Sequence, residues 1–216
     1  MIYIYTAKAS ELNISRKEII TYLGYYGAEC DKATEAMIDE CLKEFTDCVS
    51  FKACYTLLPV SIDKNISAGC LEFCSESLKK NLCGCENAYL FAATAGSESQ
   101  RLIARNSVIS PLKGIVTDCI GSAAIESFCD KFNSSLKNCD CLRPRFSPGY
   151  GDLPIECQKD ILGFLDAKNK IGLSLNDSLM MSPSKSVTAI IGIGKEKNKC
   201  TGPGCMVCRA NNCPYR

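Results

Sequence analysis

The order of helix and strand signals constrains the fold of this chain more than any other feature. Strand signals occur near residues 1–6, 51–57, 70–74, 88–94 and 171–193, and helix signals fill only some of the intervals between them. Parallel βαβ folds need a crossover helix between successive strands, and no regular alternation of that kind is present. We therefore expect an α+β fold in which helices pack on an antiparallel sheet.

The first two helices are predicted from a cap and from hydrophobic periodicity. Ser15 and Glu18 form the capping-box pattern S-x-x-E, which opens a helix that ends near Gly24 or Gly27. A second helix is predicted over about residues 31–48. Apolar residues at three- and four-residue spacing predict its buried face: Ala33, Met37, Cys41, Phe45 and Cys48.

Proline and a capping residue predict the later boundaries. Pro59 is expected to end the second strand. Pro111 divides a long helical region into two helices, over about 98–107 and 111–137. Asp152 is expected to cap the helix that directly follows it in the sequence.

Composition excludes several classes of function. The 216 residues include 25 Lys and Arg against 24 Asp and Glu, so the net charge of +1 predicts neither nucleic-acid binding nor a polybasic membrane patch. No apolar run is long enough to span a membrane and the start lacks a signal-peptide pattern, which favours a cytoplasmic protein. The absence of histidine removes the usual general base, and with it a common ligand of zinc and of cobalt in corrinoids.

Cysteine is abundant, and four cysteines lie close together near the end of the chain. The 17 cysteines are expected to be reduced, and many of them to pack as small apolar residues. Residues 195–216 are polar and lack apolar periodicity, which indicates an appended tail. Its cysteines predict one metal centre, with zinc and an iron–sulfur cluster equally suited: Cys200, Cys205, Cys208 and Cys213. A tail with incidental cysteines or a redox pair is the alternative, and the Cys83/Cys85 and Cys139/Cys141 pairs are weaker candidates.

One loop combines the residue types of a ligand site. Residues 143–152 carry Arg145 and Tyr150 among two prolines and two glycines. An arginine can bind a carboxylate through two hydrogen bonds, a tyrosine face can lie against a cation, and Gly149 lets the backbone approach a ligand. These properties together suit S-adenosylmethionine, a small zwitterion with an additional positive charge. An ordinary Pro/Gly turn with an exposed arginine is the alternative.

The motif Arg145-x-x-Pro148-Gly149-Tyr150 resembles a signature of the activation domain of cobalamin-dependent methionine synthase. Four segments, in the order found in that family, extend the resemblance over about residues 15–194: 18–44, 82–108, 118–132 and 148–194. The resemblance implies an S-adenosylmethionine-binding α+β domain over residues 1–194, whose N-terminal part to about residue 49 is helical. The family supplies a methyl group when inactive cob(II)alamin is reduced and remethylated.

The resemblance also implies roles for individual residues. Glu126 matches the family's glutamate on the helix before the loop, and would face the ammonium or sulfonium charge of the ligand. A solvent-facing glutamate on an amphipathic helix is the alternative. Arg145 would bind the ligand carboxylate, and Tyr150 with the backbone of Gly149 would form walls. The family's pair of ligand-contacting tyrosines should fall near residues 199 and 200, where this chain has no aromatic residue.

Partners follow from the same resemblance. Because the chain lacks histidine and a corrinoid-binding motif, we expect the cobalamin to be carried by a partner, a methionine synthase or related methyltransferase. Reduction of the cobalt then requires an electron donor such as a flavodoxin or a ferredoxin. A protein acting in electron transfer or sensing through the Cys tail is the second hypothesis, and a scaffold that binds no S-adenosylmethionine is the third.

Overall fold

The computed structural model describes residues 1–26, 30–136 and 141–194. The strands in these ranges are β1 Tyr3–Lys8, β2 Ser50–Ile62, β3 Ile66–Ala68, β4 Leu71–Phe73, β5 Asn87–Thr94, β6 Ser174–Leu175, β7 Met181–Ser182 and β8 Ser186–Ile193. The helices are α1 Arg16–Tyr22, α2 Lys32–Cys48, α3 Glu76–Leu82, α4 Gly96–Ile109, α5 Pro111–Ser135, α6 Cys157–Phe164 and α7 Ala167–Ile171. The described strands pair in antiparallel fashion, so the predicted α+β class is confirmed.

The main sheet has six strands in the order β4-β3-β2-β5-β8, with β1 as an additional partner of β2. The first half of β2 pairs with β1, where Tyr3 lies opposite Tyr55, and its last residues pair with β3, where Val60 lies opposite Ala68. β5 is central and pairs along its whole length with β2 and β8. β6 and β7 form a separate two-stranded ribbon.

Helices cover both faces of the sheet, and each face has its own apolar core. The core on one side includes side chains of α1, α2, α4 and α5, and the core on the other includes those of α3, α6 and α7. Phe128 and Phe132 of α5 are fully buried, and the Phe132 ring stacks on Phe91 of β5 with centroids 4.5 Å apart. Burial of one such ring contributes about 1.5–3 kcal/mol, so α5 is firmly seated on the sheet.

Several predicted boundaries are confirmed. Ser15 Oγ accepts a hydrogen bond from the Glu18 amide at 3.3 Å and caps α1. Pro111 occupies the first turn of α5, directly after α4 ends at Ile109. α7 was not predicted, since its five residues are too few to show a clear periodicity.

One prediction of local structure is wrong, and a second is correct only in part. β2 instead continues through Pro59. The Val60 amide donates to the Glu86 carbonyl on the β5 side of the strand, so the nitrogen of the preceding Pro59 points to the opposite side. On that side Pro59 faces the gap between the end of the β1 pairing and the start of the β3 pairing, where no hydrogen bond from its nitrogen is needed. Of the residues predicted on the buried face of α2, Cys41 and Phe45 are buried, Met37 is half-buried, and Ala33 and Cys48 are exposed. Thr34 and Ile38 complete the buried face, which is therefore rotated toward them. None of the helices within the described residues is long and apolar enough to cross a bilayer.

Candidate functional site

Glu126 lies in the C-terminal half of α5, on the edge of its buried face. Ala123, Ala124 and Phe128 beside it are fully buried against the sheet. The Glu126 carboxylate itself is half-exposed and lines a cleft. The helix therefore holds this side chain at the boundary between core and solvent, which differs from the fully solvent-facing alternative.

The loop before α6 is fixed to the edge of the sheet by backbone hydrogen bonds. Phe146 and Ile190 exchange two such bonds, at 3.0 and 2.8 Å, and the Arg143 amide donates to Gly192 at 2.8 Å. Arg145 lies between these anchored residues, so its backbone position is set by β8. Its side chain extends to α5.

The structure brings Arg145 and Glu126 together, and adds Asp130 as a third member. Arg145 Nη2 donates to Glu126 Oε2 at 2.8 Å, and Nη1 donates to Asp130 Oδ1 at 2.7 Å. The Arg145 side chain is 19% exposed, against 43% for Glu126 and 72% for Asp130. Because Glu126 and Asp130 are four residues apart on one helix, their side chains face the loop together, and this spacing could have identified Asp130 from the sequence.

A further carboxylate, Glu18 of α1, lies near this ion pair. Partial burial of its carboxylate raises the pKa of Glu18, and Coulomb repulsion from Asp130 and Glu126 raises it further. Glu18, Glu126 and Asp130 thus bring three negative charges to this region against the one positive charge of Arg145, and the local charge is negative. Such a surface favours a ligand that brings positive charge.

Gly149 and Tyr150 lie at the tip of the same loop. Gly149 has a φ of +91°, which glycine adopts without strain, and its amide donates to the Leu153 carbonyl at 2.8 Å. The exposed Tyr150 ring meets Phe146 edge-on, with centroids 6.0 Å apart. Since the Gly149 amide is used within the turn, only the Cα and carbonyl of that residue could form a wall for a ligand.

The prediction that Asp152 caps the next helix is wrong. Its carboxylate instead caps α3, accepting hydrogen bonds from Ser75 Oγ at 2.5 Å and from the Glu76 and Ser77 amides at 2.7 and 3.0 Å. The Ser75 hydroxyl and the two amides hold the pKa of Asp152 far below its usual range. Gly151, with a φ of +56°, packs its backbone against Ser77 and lets the loop approach α3. The loop is therefore anchored to α3 as well as to β8.

A cleft of about 450 Å³ runs along α5 from Glu126. Its lining comes from the end of α1, one face of α5 and the segment leading into β8: Tyr22, Asp118, Cys119, Ser122, Ile125, Glu126, Ser184, Lys185, Ser186 and Val187. Arg145 does not line the cleft, but contacts it through Glu126. Of the four predicted ligand-contacting residues, Glu126 lines the cleft, whereas Arg145, Gly149 and Tyr150 do not.

The opposite end of the cleft carries an ion pair that the sequence did not assign. Lys185 Nζ lies 2.9 Å from Asp118 Oδ2 and donates to Ser122 Oγ at 2.9 Å. Gly121 makes room for the Lys185 stem, because a Cβ at that position would lie 3.1 Å from Lys185 Cγ. The four-residue spacing of Asp118, Ser122 and Glu126 places them on one face of α5, but nothing in the sequence indicated Lys185.

The fold is that of the MetH reactivation domain. The crystal structure of that domain bound to AdoHcy superposes on this chain with a TM-score of 0.69 and 13% sequence identity, and the match covers 92% of this chain and 80% of the MetH domain. AdoHcy is S-adenosylhomocysteine, the demethylated form of S-adenosylmethionine. No protein-family model and no curated protein matches the sequence. At this identity the likeness to the MetH reactivation domain establishes the fold alone.

The predicted metal centre lies outside the described residues, since Cys200, Cys205, Cys208 and Cys213 all belong to the tail. Within residues 1–26, 30–136 and 141–194, no group of three or more Cys, Asp or Glu side chains could hold a metal ion. In the Cys83/Cys85 pair, Cys83 is exposed and Cys85 buried. Cys141 is half-buried, and its predicted companion Cys139 also lies outside the described residues.

Proposed function

We propose that this protein binds S-adenosylmethionine beside Glu126 and Arg145 and supports the reductive remethylation of cob(II)alamin on a partner corrinoid methyltransferase, with methionine synthase as the first candidate. One observation carries the proposal. The Arg145 loop and Glu126 are ion-paired at the edge of a cleft, in a fold that the MetH reactivation domain shares and in which that domain was crystallised with AdoHcy.

The charge of the region supports a cationic ligand. Among the described residues, the charged side chains that line the cleft, pair with Arg145 or interact with Glu126 are four acidic and two basic: Glu18, Asp118, Glu126, Asp130, Arg145 and Lys185. S-adenosylmethionine carries one carboxylate, one ammonium and one sulfonium group, which gives it a net positive charge. The excess of carboxylates therefore attracts the ligand as a whole, and Glu126 is placed to face its ammonium or sulfonium group.

Arg145 supplies the complementary contact for the ligand carboxylate. One of its two partners, Asp130, is largely exposed, and a surface ion pair of this kind is worth only about 0–1 kcal/mol. Exchange of Asp130 for the ligand carboxylate therefore costs little, and Glu126 continues to hold the guanidinium from the cleft side. The two ends of the amino-acid moiety would then be bound by an opposite pair of charges.

The reaction requires two components besides this chain: the partner that carries the cobalamin and an electron donor. A one-electron donor of the flavodoxin or ferredoxin class reduces cob(II)alamin to cob(I)alamin. The cobalt electron pair then attacks the methyl carbon; the Co–C bond forms and the C–S bond breaks, leaving its electron pair on the sulfur of AdoHcy. This chain contributes the position of the sulfonium methyl group relative to the cobalt, and such positioning is a large part of catalysis in bimolecular transfers.

Substitution of Arg145 tests the binding site. Arg145→Ala should weaken S-adenosylmethionine binding by about 2 kcal/mol or more, because a charged hydrogen-bonded partner is lost. Arg145→Lys should restore only part of the affinity, since a point charge cannot donate in a fork. Arg101→Ala is the control, because Arg101 is an exposed arginine on α4 that pairs with Glu98. Parent-like binding by both Arg145 variants would refute the carboxylate contact.

Methyl transfer tests the complete function. A methionine synthase whose own activation domain has been removed, loaded with cob(II)alamin, would be mixed with an electron donor and methyl-labelled S-adenosylmethionine. Label should enter methylcobalamin only when this chain is added, and Arg145→Ala should reduce the rate. If this chain binds S-adenosylmethionine but its addition leaves the labelling of methylcobalamin unchanged, the reactivation role is contradicted, although the ligand site is not.

A further inference from the structure

The corner between α4 and α5 exposes apolar side chains to solvent. Val108 and Ile109 at the end of α4 are 88% and 65% exposed, and Leu112 and Ile115 in the first turns of α5 are 44% and 55% exposed. These four side chains are called the corner patch below. Residues 106–112 contain no charged residue, so most of this corner lacks charge as well. Grouped apolar side chains of this kind commonly mark an interaction site, whereas single exposed apolar residues need no explanation.

The two helices are held close together at this corner. A Cβ on Gly114 would lie 2.7 Å from the Cα of Ser107, so the start of α5 approaches the end of α4 as closely as only glycine permits. The Ser110 amide donates to the Asn106 carbonyl at 3.0 Å, and the Gly114 amide donates to the Ser110 carbonyl at 3.0 Å. The side chains from the two helices therefore form one surface of fixed shape.

Polar side chains lie on the inner side of the same corner. Asn106 is fully buried and donates to Oγ1 of the buried Thr117 at 2.9 Å. Lys113 is also buried, and its ammonium lies 2.8 Å from Glu40 and 3.0 Å from Glu44 on α2. A helix on the surface of a domain normally buries its apolar residues and exposes its polar ones, so the pattern is reversed here. Reversals of this kind occur where a function requires the exposed residues.

The corner patch continues along α5 into the proposed ligand cleft. Leu112 and Ile115 are followed at three- and four-residue spacing by Cys119, Ser122 and Glu126, so all five lie on one face of the helix. Cys119, Ser122 and Glu126 line the cleft. Leu112 and Glu126 are 14 residues apart in the sequence, which corresponds to about 21 Å along the helix axis. A protein that covers the cleft therefore reaches the corner patch as well.

The size of the corner patch indicates what covers it. A stable interface involves about 20–30 residues on each side, and four side chains are too few to hold a second copy of this chain in a stable dimer. The corner patch instead fits one end of a larger interface that extends over the neighbouring cleft. In the proposed function, the protein that must approach the cleft is the corrinoid carrier, since its cobalt has to reach the methyl group of the bound ligand.

We propose that the corner patch anchors the corrinoid-carrying partner, which contacts it through an apolar surface of its own while its cobalamin faces the cleft. This assignment rests on the proposed function and concerns the partner surface rather than the ligand site. Apolar side chains buried in a protein complex contribute to the affinity of the complex. The corner patch therefore determines the affinity for the partner and leaves the affinity for S-adenosylmethionine unchanged.

The test measures methyl transfer at increasing concentrations of a cobalamin-loaded methionine synthase that lacks its own activation domain. Leu112→Ser and Ile115→Ser should each raise the synthase concentration that gives the half-maximal rate about three- to tenfold, because roughly half of each side chain is available for burial in the complex. The maximal rate, the affinity for S-adenosylmethionine and thermal unfolding should stay close to those of the parent. Leu57→Ser is the matched control, since Leu57 of β2 is 45% exposed and lies outside the corner patch.

Hydrogen exchange provides a second measurement that needs no variant. Addition of the synthase should slow amide exchange over residues 106–116 and leave α6, which packs on the opposite face of the sheet, unchanged. Protection of residues 106–116 without methyl transfer would support the docking surface while contradicting the reactivation role. If the parent neither transfers the methyl group nor shows this protection, the proposed function and this assignment fail together.

Two results would overturn the assignment alone. Parent-like half-maximal concentrations in both Leu112→Ser and Ile115→Ser, with methyl transfer intact, would show that the partner binds elsewhere. Sedimentation of the parent as a concentration-dependent dimer that Ile115→Ser abolishes, with no protection by the synthase, would assign the corner patch to a second copy of this chain.

Discussion

Glu126 and Asp130 contact the same guanidinium, yet their neutral variants should change ligand affinity in opposite directions. Both carboxylates lie within 2.8 Å of an Arg145 nitrogen. Only Glu126 lines the cleft, so in our account it binds the positive end of the ligand, whereas Asp130 competes with the ligand carboxylate for Arg145. The comparison therefore distinguishes a binding site from a structural ion-pair cluster.

The magnitudes follow from exposure. A hydrogen bond to a charged group is worth about 1.5–3 kcal/mol, and the half-exposed Glu126 belongs at the lower end of that range, so Glu126→Gln should weaken S-adenosylmethionine binding about tenfold. Asp130 is 72% exposed, and surface ion pairs are worth about 0.2–1 kcal/mol. Asp130→Asn should therefore tighten binding by a factor of up to about five.

Calorimetric titration with S-adenosylmethionine measures both effects, with Glu98→Gln as a control for removing an exposed, ion-paired glutamate on α4. Thermal unfolding of each variant shows whether the fold is retained. Equal weakening by Glu126→Gln and Asp130→Asn, with the control unchanged, would refute the division of roles. The ion-pair cluster of Glu126, Asp130 and Arg145 would then serve only to hold the loop of residues 143–152 against α5.

Four other outcomes are expected. Gly151→Ala should lower the free energy of unfolding by about 1–2 kcal/mol or more, because its φ is +56° and the new Cβ would lie 2.6 Å from Ser77 Oγ; chemical denaturation measures this. Hydrogen bonds to the Asp31 carboxylate, the largest effect coming from the Thr34 hydroxyl, lower the pKa of Asp31 to about 2. The stability that ionised Asp31 contributes should therefore be present above about pH 4 and be lost as the pH falls toward 2. Asp31→Asn should flatten this part of the acid-unfolding profile. Replacing Cys205 and Cys208 with serine should remove zinc or iron from the purified protein without a large change in thermal unfolding, whereas unchanged metal content would exclude the tail site. Finally, the isolated chain should not retain cobalamin through gel filtration.

Local signals in the sequence predicted much of the scaffold. Three features depend on neighbouring residues, and each was predicted within a few positions: the serine cap of α1, the proline at the start of α5 and the buried strand β5. The strand through Pro59 was missed because a proline is tolerated where its nitrogen points to a gap between partner strands, and that gap is a property of the sheet.

The candidate site was predicted only in part, for a related reason. The loop motif and Glu126 were identified from residue types and from resemblance, and the structure places Arg145 against Glu126. The four-residue spacing on α5 marks Asp130 as a neighbour of Glu126, but the pairing of both carboxylates with Arg145 could not be predicted, because it requires the register of the loop on β8. The Asp118–Lys185 pair joins residues far apart in the sequence, and the Asp152 cap joins the loop to α3, so neither leaves a local pattern.

Calorimetric titration of the purified chain with S-adenosylmethionine tests the central claim most directly. We expect saturable binding of one ligand per chain, competition by AdoHcy, and a large loss of affinity in Arg145→Ala but not in Arg101→Ala. Absence of binding by a folded parent chain, or binding that Arg145→Ala leaves unchanged, would contradict it.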